Sequence, residues 1–417
     1  MAGVLQVWWD GELVGRLTQD RGGDLGFAYD ADWVRRPEAQ ALSASLPKRE
    51  QRYRRRACRP FFAGLLPDEG QREAVARVLG VSPGNDFALL ERLGGDVAGA
   101  LQLLSPEEAP ESPTGRAKPE PLDDDELVRV LTTLPTRPLL AGETNLRLSL
   151  AGAQSKLPVV LAEGAVALPA QGQPTTHILK PPPERFPGAT ENEAFSMRLA
   201  ASVGLDVAGV ETRSVSGRTF LLVERYDRSR TPEGDVWRVH QEDFCQALGL
   251  YPERKYASEG GPGFRDCFAL LRRVSARPAV DVLKLLDAAI LNLVIGNADA
   301  HGKNYALLYD AAGPRLAPLY DLLSTVAWPE LSPRLAMRIG RRATLAEMNP
   351  RAWSAFAAGG GLGMPLVRRR VAELTERVRA EASGTAQAVM SPGLDGGVLE
   401  ALARAVVGRA EVCASTV

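Results

Sequence analysis

The stretch NLVIGNADAHGKNYALL, residues 292–308, changes from apolar to polar and back to apolar. Its apolar start predicts a buried helix, and its apolar end predicts a second buried element. Between the two, four polar side chains fall within six positions: Asp299, His301, Lys303 and Asn304. One face of a helix would account for one or two such groups. Four of them predict a loop whose side chains act together at one site.

The totals of the chain limit the classes of function. The 417 residues carry a net charge of −1, so the overall charge requires no polyanionic partner. The four cysteines lie far apart and the three histidines are isolated, which indicates a reducing compartment and argues against a histidine-rich metal site. The N-terminus shows no leader pattern, and no apolar run could span a bilayer. We therefore expect a cytoplasmic protein with two or three subdomains and no membrane contact.

The first 104 residues carry local signals for a hairpin and two helices. VLQVWWDGELVGRL (4–17) has two β-like runs around an Asp-Gly turn. EGQREAVARVLG (69–80) has helical spacing and a glycine stop, and DFALLERLGGDVAGALQLL (86–104) predicts a helix, a glycine turn and a strand. Residues 105–121 contain five prolines and no apolar periodicity, so we predict a linker there that separates an N-terminal domain, 1–104, from the rest.

Residues 122–236 predict a small β-rich lobe, and residues 237–417 a mostly helical one. DDDELVRVLTTL (123–134) predicts a short helix, and THILK (176–180) and GRTFLLVERYDR (217–228) predict strands. TENEAFSMRLAASVGL (190–205) predicts a helix with Thr190 as N-cap, Glu193 completing a capping box and Gly204 as the stop. This layout is one of the few that suit a nucleotide held between two lobes.

Asp299 and Asn304 have the D-x-x-x-x-N spacing of the protein kinase catalytic loop, where the Asp accepts the substrate hydroxyl proton and the Asn binds magnesium. The spacing alone is weak, because Asp and Asn often cap turns. Within RLAPLYDLLST (315–325), Asp321 follows a short apolar run expected to be a strand, which makes it a candidate second magnesium ligand. Alternatively, Asp321 caps a helix. His301 either orients a phosphate or holds the loop.

Residues upstream of this loop supply candidate nucleotide contacts. Lys180 closes its strand as the kinase strand lysine does, and Glu193 either pairs with it or only completes the capping box. LSLAGAQSK (148–156) is a Gly/Ala turn that can cradle phosphates or serve as an ordinary hairpin turn. LLVERYDR (221–228) places Glu224 and Tyr226 where an inter-lobe strand would hold an adenine, although an edge strand fits this pattern equally well.

The order of these features is more specific than any one of them. A phosphate turn, a strand lysine, a helix glutamate, a hinge strand, D-x-x-x-x-N and a later acidic ligand follow one another as they do in kinases. Coincidence is a poor explanation for that order. We therefore predict an α+β protein with a kinase-like two-lobed fold, a mixed α/β N-terminal subdomain and a mostly helical C-terminal lobe.

The same segments resemble the HipA family of serine/threonine-protein kinase toxins from type II toxin–antitoxin systems. The resemblance covers nearly the whole chain. Its C-terminal motifs are SLAGAQSKLPV, THILKPP, NEAFSMRLAASVGL, LLVERYDR, HQEDFCQALG, GNADAHGKN and LAPLYDLLS. Its N-terminal motifs are VWWDGELVGRL, LSASLP, FFAGLLPDE and LLERLGGDVAGALQL.

The resemblance implies a role for each matching residue, with ATP and Mg²⁺ as cofactors. Asp299 would be the catalytic base, Asn304 and Asp321 would bind magnesium, and Ser149 would be the autophosphorylated serine. Glu193 would support the site. The implied ATP-binding residues are Ala151, Gly152, Ala153, Gln154, Ser155, Lys156, Lys180, Glu224, Arg225, Tyr226, His301, Gly302, Lys303, Asn304, Tyr320 and Asp321.

The resemblance also implies partners. These are a HipB-like helix-turn-helix antitoxin, operator DNA bound through that antitoxin, and a protein substrate such as an aminoacyl-tRNA synthetase. The basic run KREQRYRRRACR (48–59) is either a solvated surface or a contact to DNA phosphates. Two other functions stay open from the residues alone: a co-repressor with a degenerate nucleotide site, and a small-molecule phosphotransferase.

Overall fold

The computed structural model describes residues 3–110, 119–143, 146–232 and 234–417. Residues 111–118, which belong to the predicted proline-rich linker, lie outside the described residues. Internal contacts divide the chain into two compact units. The first consists of residues 1–181, 222–253 and 308–313, and the second of residues 182–221, 254–307 and 314–417. Each unit is therefore assembled from segments that are distant in sequence.

The first unit opens with a five-stranded antiparallel sheet. Its strands are β1 (Gly3–Trp9), β2 (Glu12–Gln19), β3 (Leu25–Tyr29), β4 (Tyr53–Arg54) and β5 (Leu101–Leu104), in the order β4-β3-β2-β1-β5. The predicted hairpin is confirmed, because Asp10 and Gly11 connect β1 and β2 with positive φ angles of 49° and 77°. Two-residue hairpin turns require that backbone conformation to match the twist of the strands.

Helices pack an apolar core against this sheet. They are α1 (Ala31–Arg35), α2 (Arg55–Gly64), α3 (Glu69–Leu79) and α4 (Asp86–Leu93). Leu17 and Phe27 of the sheet and Phe62 and Leu90 of the helices are fully buried in one cluster. Both helices predicted in this part are confirmed, and α3 ends at Gly80 in the left-handed conformation, where glycine has no steric cost.

The first unit continues with one helix and a second group of strands. These are α5 (Asp124–Thr133), β6 (Leu157–Ala162), β7 (Ala165–Ala167) and β8 (His177–Lys180). Asp123 and Glu126 form a reciprocal capping box at the start of α5. Strand β6 pairs antiparallel with both β7 and β8. The predicted strand at THILK is therefore confirmed, and Lys180 is its last residue.

The next elements are α6 (Ala189–Ser202), β9 (Val210–Val215) and β10 (Arg218–Glu224). The prediction of Thr190 as N-cap is wrong, because α6 begins at Ala189 and its N-cap is Gly188, with a left-handed φ of 75°. That glycine lets the chain turn into the helix two residues earlier than the threonine indicates. Glu193 consequently completes no capping box and is buried on α6.

The remaining elements are mostly helical, as predicted. They are β11 (Arg228–Arg230), β12 (Val236–Arg238), β13 (Gln241–Asp243), α7 (Phe244–Ala247), α8 (Phe264–Val274), α9 (Pro278–Ile295), β14 (Ala306–Asp310), β15 (Gly313–Leu316), α10 (Pro350–Gly359), α11 (Met364–Val389) and α12 (Gly396–Ser415). In the second unit, α6, α9 and α12 all pack against α11. Among the residues that the structure describes, no helix is both long and apolar enough to cross a membrane.

Candidate active site

Helix α9 carries the apolar part of the stretch 292–308 into the interior of the second unit. The helix ends at Gly296, which is in the left-handed conformation with φ of 76°. A Cβ atom on this glycine would lie 2.4 Å from Cγ2 of Val326, so a side chain does not fit here. The polar residues then form a loop that closes with a 3₁₀ turn at Gly302–Asn304 before β14. The predicted loop between two buried elements is confirmed.

Asp299 is exposed to solvent on this loop, between buried neighbours. Its carboxylate Oδ1 accepts a hydrogen bond of 2.8 Å from the hydroxyl of Tyr256. Its backbone N–H donates to Oδ1 of Asn297 at 3.1 Å. The carboxylate is therefore held in one orientation and is still reachable from outside, as a general base must be.

Asn304 and Asp321 form the candidate magnesium site. Nδ2 of Asn304 donates to Oδ2 of Asp321 at 3.1 Å. Oδ1 of Asn304 is buried, and no donor among the described residues reaches it. An unpaired buried amide oxygen beside a carboxylate suits a hard cation, which takes oxygen ligands. The described residues contain no group of three or more His, Cys, Asp or Glu side chains suited to a metal, and Mg²⁺ at the Asn304–Asp321 pair stays a prediction.

The backbone at Asp321 rules out the helix-capping alternative. Strand β15 ends at Leu316, so the predicted strand does not extend as far as Asp321. Asp321 itself has a left-handed φ of 57°, a conformation that Asp tolerates better than most residues. The short 3₁₀ helix that follows at Thr325–Ala327 has Ser324 as its N-cap. The Asp321 carboxylate thus faces Asn304 and does not cap a helix.

His301, Gly302 and Lys303 shape the loop through their backbone groups. The N–H of His301 donates to the carbonyl of Asp299 at 2.7 Å, and the N–H of Gly302 donates to the carbonyl of Lys255 at 3.2 Å. The His301 ring packs edge-on against Tyr256 at a centroid distance of 5.1 Å. The Tyr320 hydroxyl donates to the carbonyl of Lys303 at 2.6 Å. These contacts favour the loop-holding alternative for His301.

Several amide side chains that support the loop were not predicted. Asn297 donates to Oδ1 of Asn292 at 2.9 Å, which ties the loop to the end of α9. Asn192 of α6 is almost fully buried, donates to the carbonyl of Ser324 at 2.9 Å and accepts from its N–H at 2.6 Å. Thr325 accepts from the N–H of Ala298 at 2.8 Å. The available signal for Asn292 was an amide within an apolar run, whereas Asn192 stands among the polar residues TENE and no sequence signal singled it out.

The predicted phosphate turn lies in the first unit. Gly152 has a positive φ of 115°, and Lys156 folds back so that its ammonium group donates to the carbonyl of Ala151. The side chain of Gln71 donates to Oγ of Ser155 at 3.3 Å. The N–H of Asp68 donates to the carbonyl of Gly152 at 3.3 Å. The turn is therefore held against the segment that begins α3.

Ser149 precedes this turn and is fully buried. Its hydroxyl donates to the carbonyl of Leu65 at 2.7 Å, and its N–H donates to the carbonyl of Asp96 at 3.0 Å. Because a carbonyl oxygen faces the hydroxyl, a phosphate dianion could not replace the proton at this position without repulsion. The serine must leave this position before it can carry a phosphate.

The remaining predicted nucleotide contacts of the first unit lie at two strand ends. Lys180 is buried at the end of β8, and Glu224 is exposed at the end of β10. Arg225 follows, and its N–H already donates to the carbonyl of Thr176 at 3.0 Å. The Tyr226 hydroxyl donates to the side chain of Gln241. Contact of Glu224, Arg225 and Tyr226 with an adenine stays a prediction.

The Arg225 side chain belongs to a buried charge network centred on Asp96. Oδ1 of Asp96 accepts from Arg228 at 2.9 Å and from Arg238 at 2.8 Å, and Oδ2 accepts from Thr175 at 2.7 Å. Burial would raise the pKa of Asp96, but the guanidinium groups of Arg228, Arg238 and Arg225 hold it well below its usual range. Asp96 is therefore a charged anchor of the first unit.

The basic run 48–59 contains one arginine with internal ion pairs and several exposed arginines. Arg59 is partly buried, and its guanidinium bonds to Asp86 and Glu253, each at 2.6 Å. Arg49 lies over the ring of Tyr53 at 3.6 Å. Arg54 and Arg56 are exposed. Arg59 is therefore part of the interior of the unit, while contact of the exposed members with DNA phosphates stays a prediction.

These features define a class of protein. The first unit has a strand that ends in a buried lysine and a glycine turn. The second unit is mostly helical and carries D-x-x-x-x-N and a later aspartate. Together these are the elements of a kinase-like fold. The comparisons with known proteins agree. Residues 5–104 match the model of the HipA N-terminal domain, and residues 148–386 match that of the HipA-like C-terminal domain.

Relatives cover nearly the whole chain. A Sinorhizobium fredii protein named "Putative kinase Y4mE" is 62% identical over 98% of each chain. The serine/threonine-protein kinase toxin HipA of Shewanella oneidensis is 30% identical over 92% of this chain and 89% of its own. A solved complex of Shewanella oneidensis HipA, HipB and operator DNA contains a chain that matches with a TM-score of 0.84 and 28% identity, over 98% of this chain and 96% of that one.

The chain belongs to the HipA family of kinase toxins. Its fold is the two-lobed, kinase-like α+β fold of HipA, as the sequence predicts. The domain boundaries at 105–121 and 236 stay predictions, as do the roles of the individual site residues.

Proposed function

We propose that this protein is an ATP- and Mg²⁺-dependent serine/threonine kinase that acts as the toxin of a HipA/HipB-like toxin–antitoxin module. The observation that carries the proposal is the Asn304–Asp321 pair, in which a buried amide oxygen has no hydrogen-bond donor. Asn304 belongs to the same short loop as the exposed Asp299. Phosphoryl transfer to a hydroxyl needs a base and a cation site, and here the base and one cation ligand lie within six residues.

In this proposal Asp299 accepts the proton of the substrate hydroxyl as the phosphoryl group is transferred. The Tyr256 hydroxyl fixes the orientation of its carboxylate through the 2.8 Å hydrogen bond. Asn304 and Asp321 would hold Mg²⁺, which would supply positive charge to the phosphates during transfer. Positioning and electrostatic stabilisation supply most of the rate enhancement, because phosphoryl transfer requires little covalent chemistry from the protein.

Residues of the first unit are assigned to the nucleotide. The amides of residues 151–156 and the Lys180 ammonium bind phosphate oxygens, and Glu224 and Tyr226 contact the adenine. The positive φ of Gly152 and the hydrogen bonds that hold the turn at residues 68 and 71 support a preformed phosphate loop.

Autophosphorylation of Ser149 would switch the kinase off. The buried hydroxyl of Ser149 donates to the carbonyl of Leu65, and a phosphate of about two negative charges would face that oxygen instead. Once phosphorylated, the segment could not return to this position, and the adjoining phosphate loop would be kept out of its ATP-binding conformation.

The partners are proposed from the family. The structural match to a HipA chain solved with HipB and operator DNA supports a HipB-like helix-turn-helix antitoxin, and contact with operator DNA through that antitoxin. Family membership also supports a substrate from the translation machinery, such as an aminoacyl-tRNA synthetase.

The test compares purified wild type with Asp299→Asn, which keeps the shape of the side chain and removes the base. Both proteins are incubated with radiolabelled ATP and Mg²⁺, and label is measured in the Ser149 peptide and in added cell proteins. We expect the variant to lose about 10²–10⁴-fold in rate, as removal of a general base does. Asp125→Asn, an exposed aspartate of α5, is the matched control and should keep the wild-type rate.

A second readout separates the kinase from a non-catalytic co-repressor. Binding of ATP with Mg²⁺ is measured by calorimetry for wild type and for Asn304→Ala. A kinase should incorporate label from ATP as wild type, and the Asn304 variant should bind ATP with Mg²⁺ more weakly. A wild-type protein that neither binds ATP nor incorporates label would refute the proposed activity.

A further inference from the structure

Residues 334–342 of the second unit present four arginines on a short hairpin, here named the arginine hairpin. Ile339 and Arg342 exchange both of their backbone hydrogen bonds, each at 2.9 Å. The two residues between them, Gly340 and Arg341, have positive φ angles of 52° and 75°. This is the backbone of a two-residue hairpin turn. Arg341 is thus held at the tip in a conformation that residues other than glycine rarely adopt.

The arginine hairpin packs against helix α10. A Cβ atom on Gly340 would lie 1.8 Å from the carbonyl oxygen of Ala352, so the turn sits directly on α10. Met337 and Ile339 are buried. Because side chains alternate along an extended segment, Arg338 between them points outward, and it is exposed.

The hairpin is also hydrogen-bonded to two segments that hold the proposed base. The N–H of Ala336 donates to the carbonyl of Ala298, the residue before Asp299, at 2.8 Å. The carbonyl of Ala336 accepts from the N–H of Ala257 at 3.4 Å. Ala257 follows Tyr256, whose hydroxyl holds the Asp299 carboxylate. The first residues of the hairpin are therefore bonded directly to both segments that hold the Asp299 carboxylate.

The charges of the hairpin are mostly uncompensated. Residues 334–347 contain four arginines and one glutamate, a net charge of +3 in a chain whose total is −1. The Glu347 carboxylate accepts from the N–H of Ala343 at 2.9 Å, and its pKa is lowered by that hydrogen bond and by Arg334 and Arg342. In the part of the chain that the structure describes, Arg338 and Arg341 form no ion pair.

We propose that the arginine hairpin docks an acidic segment of the protein substrate next to the phosphorylated serine or threonine. The inference rests on the proposed kinase function and adds a substrate class to it. Guanidinium groups bind carboxylates through paired hydrogen bonds. The exposed guanidinium groups of Arg338 and Arg341 form no ion pair among the described residues, so they suit one or two acidic side chains. A nucleic acid fits less well. Its phosphate backbone is bound by an extended row of basic side chains, whereas the arginines of the hairpin form one small patch.

The attachment at Ala336 sets the scale of the contact. Arg338 lies two residues beyond Ala336, about 7 Å of extended chain. An extended substrate advances about 3.3 Å per residue. The acidic residues are therefore expected about two to five positions from the acceptor, and a scan of their position reveals on which side they lie.

The experiment uses the full chain with ATP and Mg²⁺ and three synthetic peptides with a central serine. The flanking residues are acidic in one peptide, neutral in the second and lysine in the third. Wild type is compared with Arg338→Glu/Arg341→Glu. The matched control is Arg218→Glu/Arg368→Glu, which changes the charge equally at exposed positions of β10 and α11. KM and kcat are measured, and anisotropy of the labelled peptides gives binding directly where transfer is slow.

We expect wild type to favour the acidic peptide. In the hairpin variant, the KM or Kd for the acidic peptide should rise about tenfold or more. In the same variant, the lysine peptide should improve, while labelling of Ser149 stays as in wild type. Equal binding of the three peptides by wild type, or equal losses in the hairpin and control variants, would overturn the docking role and leave the kinase function standing. Absence of any Asp299-dependent transfer would instead refute the kinase function.

Discussion

Replacing Glu242 by glutamine should remove a pH-dependent loss of folding stability. Glu242 is buried in the first unit, where its Oε1 accepts from the N–H of Ala44 at 2.9 Å and from the Tyr309 hydroxyl, and its Oε2 accepts from the Ser43 hydroxyl. Burial raises the pKa of this carboxyl from 4.5 to about 7, although the three hydrogen bonds oppose the shift. Glutamine has the same shape and carries no charge at any pH.

The sign and size of the effect follow from that shift. Between pH 4.5 and about 7 the folded protein holds a proton that the unfolded chain releases, so the free energy of unfolding falls as the pH rises. The contribution is fully present below pH 4.5 and is lost above about pH 7. At about 1.4 kcal/mol for each pKa unit, the loss amounts to about 3 kcal/mol. Glu242→Gln should avoid it and be the more stable protein at pH 8.

The assay is urea unfolding at a series of pH values, followed by fluorescence and circular dichroism. His240 also contributes, because burial lowers its pKa to about 4 and makes stability rise with pH up to about 6.5 in both proteins. The informative quantity is therefore the difference between Glu242→Gln and wild type, which should grow with pH. Glu376→Gln, an exposed glutamate of α11, is the control. Parallel curves for wild type and Glu242→Gln would refute the reasoning.

Three further substitutions test the framework around the site. Asp96→Asn leaves buried arginines uncompensated and should cost about 3–5 kcal/mol in the free energy of unfolding, measured with urea. Asn192→Ala removes both hydrogen bonds to the Ser324 backbone and should cost about 2–4 kcal/mol; calorimetry should also show weaker ATP–Mg²⁺ binding, because Ser324 lies three residues after Asp321. Gly340→Ala places a Cβ atom against the Ala352 carbonyl and should lower Tm by several degrees, measured by differential scanning calorimetry.

The substitutions at Asp96 and Gly340 each have a control at an exposed position. Asp235→Asn should leave stability within about 0.5 kcal/mol of wild type, and Gly384→Ala, on α11 with open space around it, should not lower Tm. A stability of Asp96→Asn equal to that of Asp235→Asn would show that the network is not an anchor. Unchanged ATP–Mg²⁺ binding by Asn192→Ala would separate helix α6 from the cation site. A Tm for Gly340→Ala equal to that of wild type would show that the turn can move away from α10.

Local signals in the sequence determined much of the fold and the centre of the site. The hairpin at Asp10–Gly11, the glycine ends of α3 and α9, and the polar loop after α9 all form where turn residues and apolar periodicity place them. These features depend on residues that are neighbours in the chain, so the sequence alone predicts them. Two local predictions failed: the left-handed Gly188 starts helix α6 before the expected cap Thr190, and the strand predicted before Asp321 ends at Leu316.

Only the tertiary structure decided which distant groups meet. Asp96 contacts arginines more than a hundred positions away, Asn192 binds the backbone of Ser324, and the arginine hairpin is attached to the residue before Asp299. No periodicity or turn signal encodes such pairs, because they depend on how helices and strands pack over long separations in the chain. The sequence by itself therefore determined where the polar loop would form, and packing decided which side chains hold Asp299, Asn304 and Asp321 in place.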